Sequence, residues 1–275
     1  MEDRQRVLEE LLGACDRVVV AFSGGVDSTY LAAVAQGVLG RRAEAITGLS
    51  ASVPEAEREE AITLARQIGI RHRLIDTHEM ERPGYVENSP MRCFHCKDEL
   101  YGLLGAIAAE ANGAVVLDGT NADDVGDWRP GRKAAELHGV RSPLLEAGFT
   151  KAEIREASQR LGLPTWDKPA MACLASRIPH GTPVTVDALD QVGAAEAVLR
   201  SLGLRQVRVR HHGEIARIET DAGGLELALD VATRERVVAR LQSLGFRYVT
   251  LDLGGYRQGN MNAVGSSSES QAPAP

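Results

Sequence analysis

A chain of 275 residues, 44% of them hydrophobic, has room for one large domain or two smaller ones with real cores. Its formal net charge of -7 offers no general basic surface for nucleic acid, and no apolar run is long enough to span a membrane. Four cysteines, in a chain whose opening MEDRQRVLEELLGACD reads as a charged amphipathic helix and not a signal peptide, suggest a cytoplasmic protein with reduced thiols available for metal or catalysis.

After that first helix the stretch RVVVAFSGGVDST, residues 17–29, organises the rest. Val18 to Phe22 form a short continuous apolar run, the mark of a strand buried on both faces. Ser23, Gly24 and Gly25 break it, and Val26 to Leu39 reads as a helix with Asp27 and Ser28 in its first turn. Strand, glycine turn and helix N-terminus together make an anion site, because free N–H groups and the positive end of the helix dipole converge there. The two glycines let backbone approach phosphate oxygens closely, and the Ser23 and Ser28 hydroxyls add donors. SGGVDS fits neither GxxxxGK[ST] nor GxGxxG. It resembles the PP-loop of the ATP pyrophosphatases, which adenylate a substrate and release pyrophosphate, so ATP is the expected ligand. Asp27, an acid beside phosphate, reads as a residue on the Mg²⁺ side.

Ala43 to Leu49 reads as a second strand, Pro54 to Gly69 as an amphipathic helix and Arg71 to Asp76 as a third strand. Asp98 to Ala111 follows as a helix, and Ala114 to Leu117 as another short buried strand. Alternating short strands and helices predict an α/β fold with a doubly wound parallel sheet. Ligands of such sheets sit beyond the carboxyl ends of the strands. The Ser23 loop, the turn at Leu49 and Ser50, the segment after Asp76 and the Asp118 loop should therefore line one cleft.

The loop DGTNADDVGDWRPGR, residues 118–132, carries Asp123, Asp124 and Asp127 for Mg²⁺ or a ribose, and Arg129 and Arg132 for an anionic group. A helix from Thr150 to Leu161 follows, with Thr150 as N-cap and Glu153 at the capping-box position. Trp166 to Gly181, WDKPAMACLASRIPHG, is punctuated by proline and reads as a loop holding Cys173, Ser176 and Arg177. Beyond it the pattern changes to a helix from Val186 to Leu202, strands at Gln206 to His211 and Glu214 to Glu219 joined at Gly213, a helix from Arg234 and a closing strand from Phe246. That places a PP-loop domain at 1–179, a smaller C-terminal α+β domain for substrate binding or oligomerisation at 180–258, and a disordered tail at 259–275.

Cys93 and Cys96 form a CxxC just before the helix at Asp98, and Cys173 lies in the proline-rich loop. Cys15 reads as a small core residue. A CxxC alone is compatible with half a zinc site, a redox pair or iron–sulfur ligands. No second CxxC exists for a four-cysteine zinc site, and His95 is an awkward fourth ligand between its two co-ligands. Three thiolates from two cleft loops suit a [4Fe–4S] cluster with one iron open.

SGGVDS, RCFHCKDELY, DGTNADDVGDWRPG, RSPLLE and CLASRIPHG together resemble the LarE family, ATP-dependent sulfur transferases of nickel-pincer nucleotide biosynthesis, over residues 3–255. The resemblance implies an adenine nucleotide alpha hydrolase-like fold. It implies that ATP activates the carboxylates of pyridinium-3,5-biscarboxylic acid mononucleotide and that sulfur displaces AMP to give thiocarboxylates. Ser23, Gly24, Gly25, Asp27, Ser28, Ser50 and Asp124 would then serve ATP, with Mg²⁺ at Asp27. Arg177, Arg208, Arg210 and Glu196 would form the substrate-phosphate site, with Arg217 beside them, and Tyr85 or Trp128 would stack on a ring. Some members sacrifice the sulfur of one cysteine, whose position matches Cys173; others hold a [4Fe–4S] cluster on three cysteines, as Cys93, Cys96 and Cys173 would, and accept sulfide from a donor. Such relatives are homo-oligomers. A PP-loop tRNA thiolase would need a basic face for its polyanion, and an amidating ligase of the NAD synthetase type needs no cleft cysteines.

Overall fold

The computed structural model describes residues 2–125, 130–169 and 172–257. The chain divides into two compact units, Met1–Cys173 and Leu174–Pro275. The division lies upstream of the 179/180 junction read from the prolines, because residues just before it pack with the second unit. Leu174 lies against Gly193, where a Cβ would come 3.1 Å from its Cδ1, and Arg210 donates to the Ser176 carbonyl at 3.0 Å. The tail from residue 259 lies outside the described residues.

The first unit runs α1 (Glu2–Gly13), β1 (Val18–Ala21), α2 (Val26–Leu39), β2 (Ala43–Leu49), α3 (Glu55–Ile68), β3 (Arg71–Asp76), α4 (Pro83–Val86), α5 (Arg92–Glu110), β4 (Val115–Leu117), α6 (Pro130–Leu137), α7 (Pro143–Glu146) and α8 (Lys151–Arg160). Its four strands form a parallel sheet in the order β3-β2-β1-β4. β1 explains why both faces are covered. Val18 and Val20 point into a core shared with α1, α2, α3 and α8, while Val19 points into a second core built from α5 and α6. Each of these valines is at most 1% exposed, and full burial of such a side chain contributes ~1.5–3 kcal/mol. The expected doubly wound sheet is present.

Helix α5 begins at Arg92 and not at Asp98, which corrects the placement of the CxxC: Cys93 and Cys96 lie inside the helix, in its first turns. Arg92 fixes this early start. It is buried and bonds the side chain of Asn88, which is itself fully buried and held at φ 55. Capping works as the sequence suggests at α8, where Thr150 and Glu153 form a complete capping box.

The second unit contains a 3₁₀ turn at Leu174–Arg177, α9 (Val186–Ser201), β5 (Val207–His212), β6 (Ile215–Thr220), α10 (Ala222–Leu229), α11 (Val231–Ser243) and β7 (Tyr248–Leu251). β5 and β6 are antiparallel and β7 joins β6 in parallel, giving the smaller α+β unit. Val207, Val209, Ala216 and Ile218 face the helices and form its core. The alternate positions Arg208, Arg210, Arg217 and Glu219 share the opposite face, since Arg210 pairs with Arg217 and Arg208 with Glu219.

Candidate active site

In a parallel sheet all strands end on one side, so Ser23, Ser50, Thr77 and Asp118 follow their strands at a common edge. Gly24 takes the left-handed conformation, φ 68, and Gly25 occupies the N-cap position of α2. No side chain caps that helix, so the first-turn amides have no intrahelical acceptor and suit an anion. The two serines hold the turn together. Their hydroxyls lie 3.1 Å apart, the Ser23 amide donates to Ser28 Oγ at 3.2 Å, and Ser28 Oγ reaches the Gly25 carbonyl at 3.3 Å. The loop after β4 presses on the same turn: a Cβ on Gly119 would lie 3.0 Å from the Ser28 amide nitrogen.

Two lysines that the sequence did not single out complete this site. Lys151, at the start of α8, binds the carboxylate of Asp27, which also accepts from Asn121 Nδ2 at 3.3 Å. Lys168 donates to the Gly24 carbonyl at 3.0 Å and pairs with Glu60 of α3 at 2.7 Å. Neither contact has a local sequence signal, since each partner lies more than a hundred positions away. Asp27 offers a hard oxygen donor beside an anion site, the donor type a nucleotide-bound Mg²⁺ takes, and Lys151 neutralises it here. Ser50 and Ser52 bond each other at 2.7 Å after β2.

Asp124 is 8% exposed and accepts the Asn121 amide at 3.0 Å, while Asn121 Oδ1 accepts the Asp123 amide at 3.0 Å. This closes a capping box on the 3₁₀ turn Ala122–Asp124 and gives Asp124 a structural task the sequence did not suggest. Asp123 accepts the Lys151 amide at 2.8 Å. Asp118 is the hub of the adjoining loop: Tyr101, Thr120 and Ser142 all donate to it, at 2.7–3.1 Å. Asp127, Trp128 and Arg129 lie outside the described residues, and Arg132 is carried on α6.

The three cysteines singled out belong to this first unit and none is in a disulfide. Cys93 and Cys96, three apart on α5, share one face of the helix. Cys93 is exposed; Cys96 and Cys173 are partly buried. Burial pushes the Cys96 thiol up to about 12, and the neighbouring Cys173, Glu79 and Cys93 add to that rise. Tyr85, 1% exposed, is also pushed up by burial and then by Cys173, so this tyrosine is a wall of the thiol cluster and not an open stacking face. His95 lies so close to Gly84 that a Cβ there would be 2.3 Å from its Nε2, which turns the imidazole toward α4. Cys15 is buried in the main core, as a packing residue. Among the described residues no group of three or more His, Cys, Asp or Glu is arranged to hold a metal ion.

In the second unit Arg177 and Glu196 are locked together. Both are at most 1% exposed, and Glu196 accepts from Arg177 Nε at 2.8 Å and NH2 at 3.1 Å, from Arg200 at 2.8 Å and from the Val209 amide at 3.1 Å. Arg210 and Arg217 pair with Glu219 at 2.7 and 3.2 Å, and Arg217 reaches Asp252 at 3.0 Å. Arg208 bonds the Val207 carbonyl and lies over the Tyr256 ring. Burial, and then the nearby Arg177 cation, lower its pKa. Arg177, Arg200, Arg208, Arg210 and Arg217 thus gather around Glu196, Glu219 and Asp252, a cationic cluster whose guanidinium donors suit an anion.

Comparison with known proteins agrees with this layout. A family model described as NAD synthase matches residues 4–88, the part that contains the glycine turn. An uncharacterized protein of Synechocystis sp. is 46% identical over 96% of this chain and 98% of its own length. The pyridinium-3,5-bisthiocarboxylic acid mononucleotide synthase of Lactiplantibacillus plantarum is 42% identical over 94% of each chain. A tRNA-specific 2-thiouridylase of Synechococcus sp. is 27% identical over 56% of this chain and 50% of its own. Near full-length identity at that level, over a chain that bears the PP-loop, the CxxC and the arginine face, places this protein in the LarE family.

Proposed function

We propose that this protein is an ATP-dependent sulfur transferase that converts the carboxylates of a pyridinium-3,5-biscarboxylic acid mononucleotide to thiocarboxylates. The observation that carries the reading is the combination, within one unit, of an uncapped glycine turn for phosphate and three cysteines outside disulfides, one of which feels the other two. A carboxylate is a poor electrophile until its oxygen can leave. Attack of that oxygen on the α-phosphorus of ATP forms the acyl adenylate and breaks the bond to pyrophosphate, and sulfur then displaces AMP. The amides of the Ser23–Ser28 turn would take the phosphates, and Asp27 would face the accompanying Mg²⁺ once Lys151 releases it. The arginine face of β5 and β6 would take the phosphate of the mononucleotide, with Arg208 and Arg210 as its donors. The locked Arg177–Glu196 pair would hold that face in shape.

Cys93, Cys96 and Cys173 suit a [4Fe–4S] cluster by donor type, and Cys96 feels both of the others. Such a cluster, when bound, supplies an iron without a protein ligand at which sulfide is held. The decisive experiment is iron and acid-labile sulfide content after anaerobic purification, in wild type and in Cys93→Ala, Cys96→Ala and Cys173→Ala. About four irons per chain, lost in each variant, are expected. No iron after reconstitution would refute the cluster and return Cys173 to the role of a spent donor, visible as the loss of one H₂S from the chain.

A further inference from the structure

The Lys168 ammonium touches the backbone of the glycine turn. It is only 13% exposed, and its Nζ divides its bonds between the Gly24 carbonyl at 3.0 Å and Glu60 at 2.7 Å. An ammonium has three donors, and among the described residues two are spent on these partners. The segment that carries it is held firmly. Arg155 of α8 donates to the carbonyls of Trp166 and of Lys168 itself, both at 2.7 Å, and the Lys168 amide bonds the Thr165 carbonyl at 3.0 Å. A partly buried lysine fixed by its own backbone and aimed at an uncapped helix N-terminus is arranged for an anion, while its partner Glu60 is 43% exposed and easily rehydrated.

We propose that Lys168 is a ligand of the β- and γ-phosphates of the nucleoside triphosphate, that Glu60 occupies it when no nucleotide is bound, and that Arg155 is its positioning residue. The proposal rests on the reading of the Ser23–Ser28 turn as a phosphate site. It adds what the turn lacks: a full positive charge next to the leaving pyrophosphate, whose negative charge grows as its bond to the α-phosphorus breaks. Lys151 binds a different group, the Asp27 carboxylate, so the two lysines serve different parts of the turn.

Titration calorimetry of the full chain with MgATP, inorganic pyrophosphate and AMP tests this in wild type, Lys168→Met, Lys168→Arg and Arg155→Met. Loss of Lys168 should weaken ATP and pyrophosphate about 10- to 100-fold and leave AMP within about twofold, because AMP lacks the groups the lysine holds. Lys168→Arg should restore part of the loss, and Arg155→Met should weaken pyrophosphate with no change in AMP. Circular dichroism confirms that each variant is folded before it is scored. If wild type binds ATP and Lys168→Met binds ATP and pyrophosphate equally well, the lysine assignment is wrong while the phosphate turn stands. If wild type binds neither ATP nor pyrophosphate, the turn itself has been misread and the lysine assignment falls with it.

Discussion

Removing the carboxylate of Glu196 tests the buried ion pair of the second unit. In Glu196→Ala the Arg177 guanidinium, 1% exposed, keeps its charge but loses both of its bonds to that carboxylate, and the Val209 amide loses its acceptor. Breaking a buried pair from one side costs ~3–5 kcal/mol, because the remaining guanidinium loses its carboxylate at a site only 1% exposed. For a unit of this size each kcal/mol lowers Tm by ~4–8 °C, so the transition of the second unit should fall by at least ~12 °C. Differential scanning calorimetry on the full chain reads this directly. Replacing both partners, Arg177→Met with Glu196→Leu, removes the buried Arg177 charge and should recover part of the loss, since Arg200 and the Val209 amide still lack the Glu196 acceptor. A fall of less than ~3 °C in Glu196→Ala would show that water reaches Arg177 and would refute the argument. So would a double variant no better than the single one.

Two further outcomes follow from contacts in the first unit. In Gly119→Ala the new Cβ meets the Asp27–Ser28 peptide, 3.0 Å from the Ser28 amide nitrogen and 3.2 Å from the Asp27 carbonyl carbon. The turn must shift, so the Kd for MgATP should rise about tenfold or more, and an unchanged Kd would disprove that close approach. The Glu153 carboxyl is held down to about 2, chiefly by the Thr150 amide with help from Arg4. Its contribution of about 1 kcal/mol as a capping residue is therefore complete above its ordinary value near ~4.3 and is lost as pH falls from ~5 toward 2. Glu153→Gln should flatten this part of the urea-unfolding profile; identical profiles for variant and wild type would refute it.

Much of the fold was legible because local signals agreed. Three consecutive valines bounded by a serine–glycine turn permit little besides a doubly buried strand, and the observed β1, α2, β2 and β3 follow the pattern closely. The sequence missed α10, since AGGLELAL contains two glycines of low helix propensity. Local contacts set its start: Asp221 caps it, and a Cβ on Gly224 would fall 2.0 Å from Thr220 Oγ1. The start of α5 was misplaced for a similar reason, because the contact that extends it runs from Arg92 back to Asn88 in the preceding loop. The glycine turn was readable as a motif, whereas Lys151 and Lys168 were not, since a lysine's target depends on long-range packing and leaves no spacing in the chain. The arginine face was readable from alternation at 208, 210 and 217, but its carboxylate Glu219 was not singled out.

The order of the parallel sheet also bears on how copies of this chain can associate. An open sheet has two outer strands whose free backbone groups invite pairing with another chain. On β3, Arg71 and Arg73 both reach the single Glu44 of the neighbouring strand, at 3.6 and 3.2 Å, and their charged ends stay 73% and 42% exposed. A second strand laid along that edge would have to strip water from both cations. On the other side β4 is only three residues long, and the segment at Arg141 already covers it with bonds of 3.0 and 2.9 Å to Val116 and Asp118. Neither margin of this four-stranded sheet is a template for strand addition, so it is protected from the edge-to-edge growth that begins aggregation.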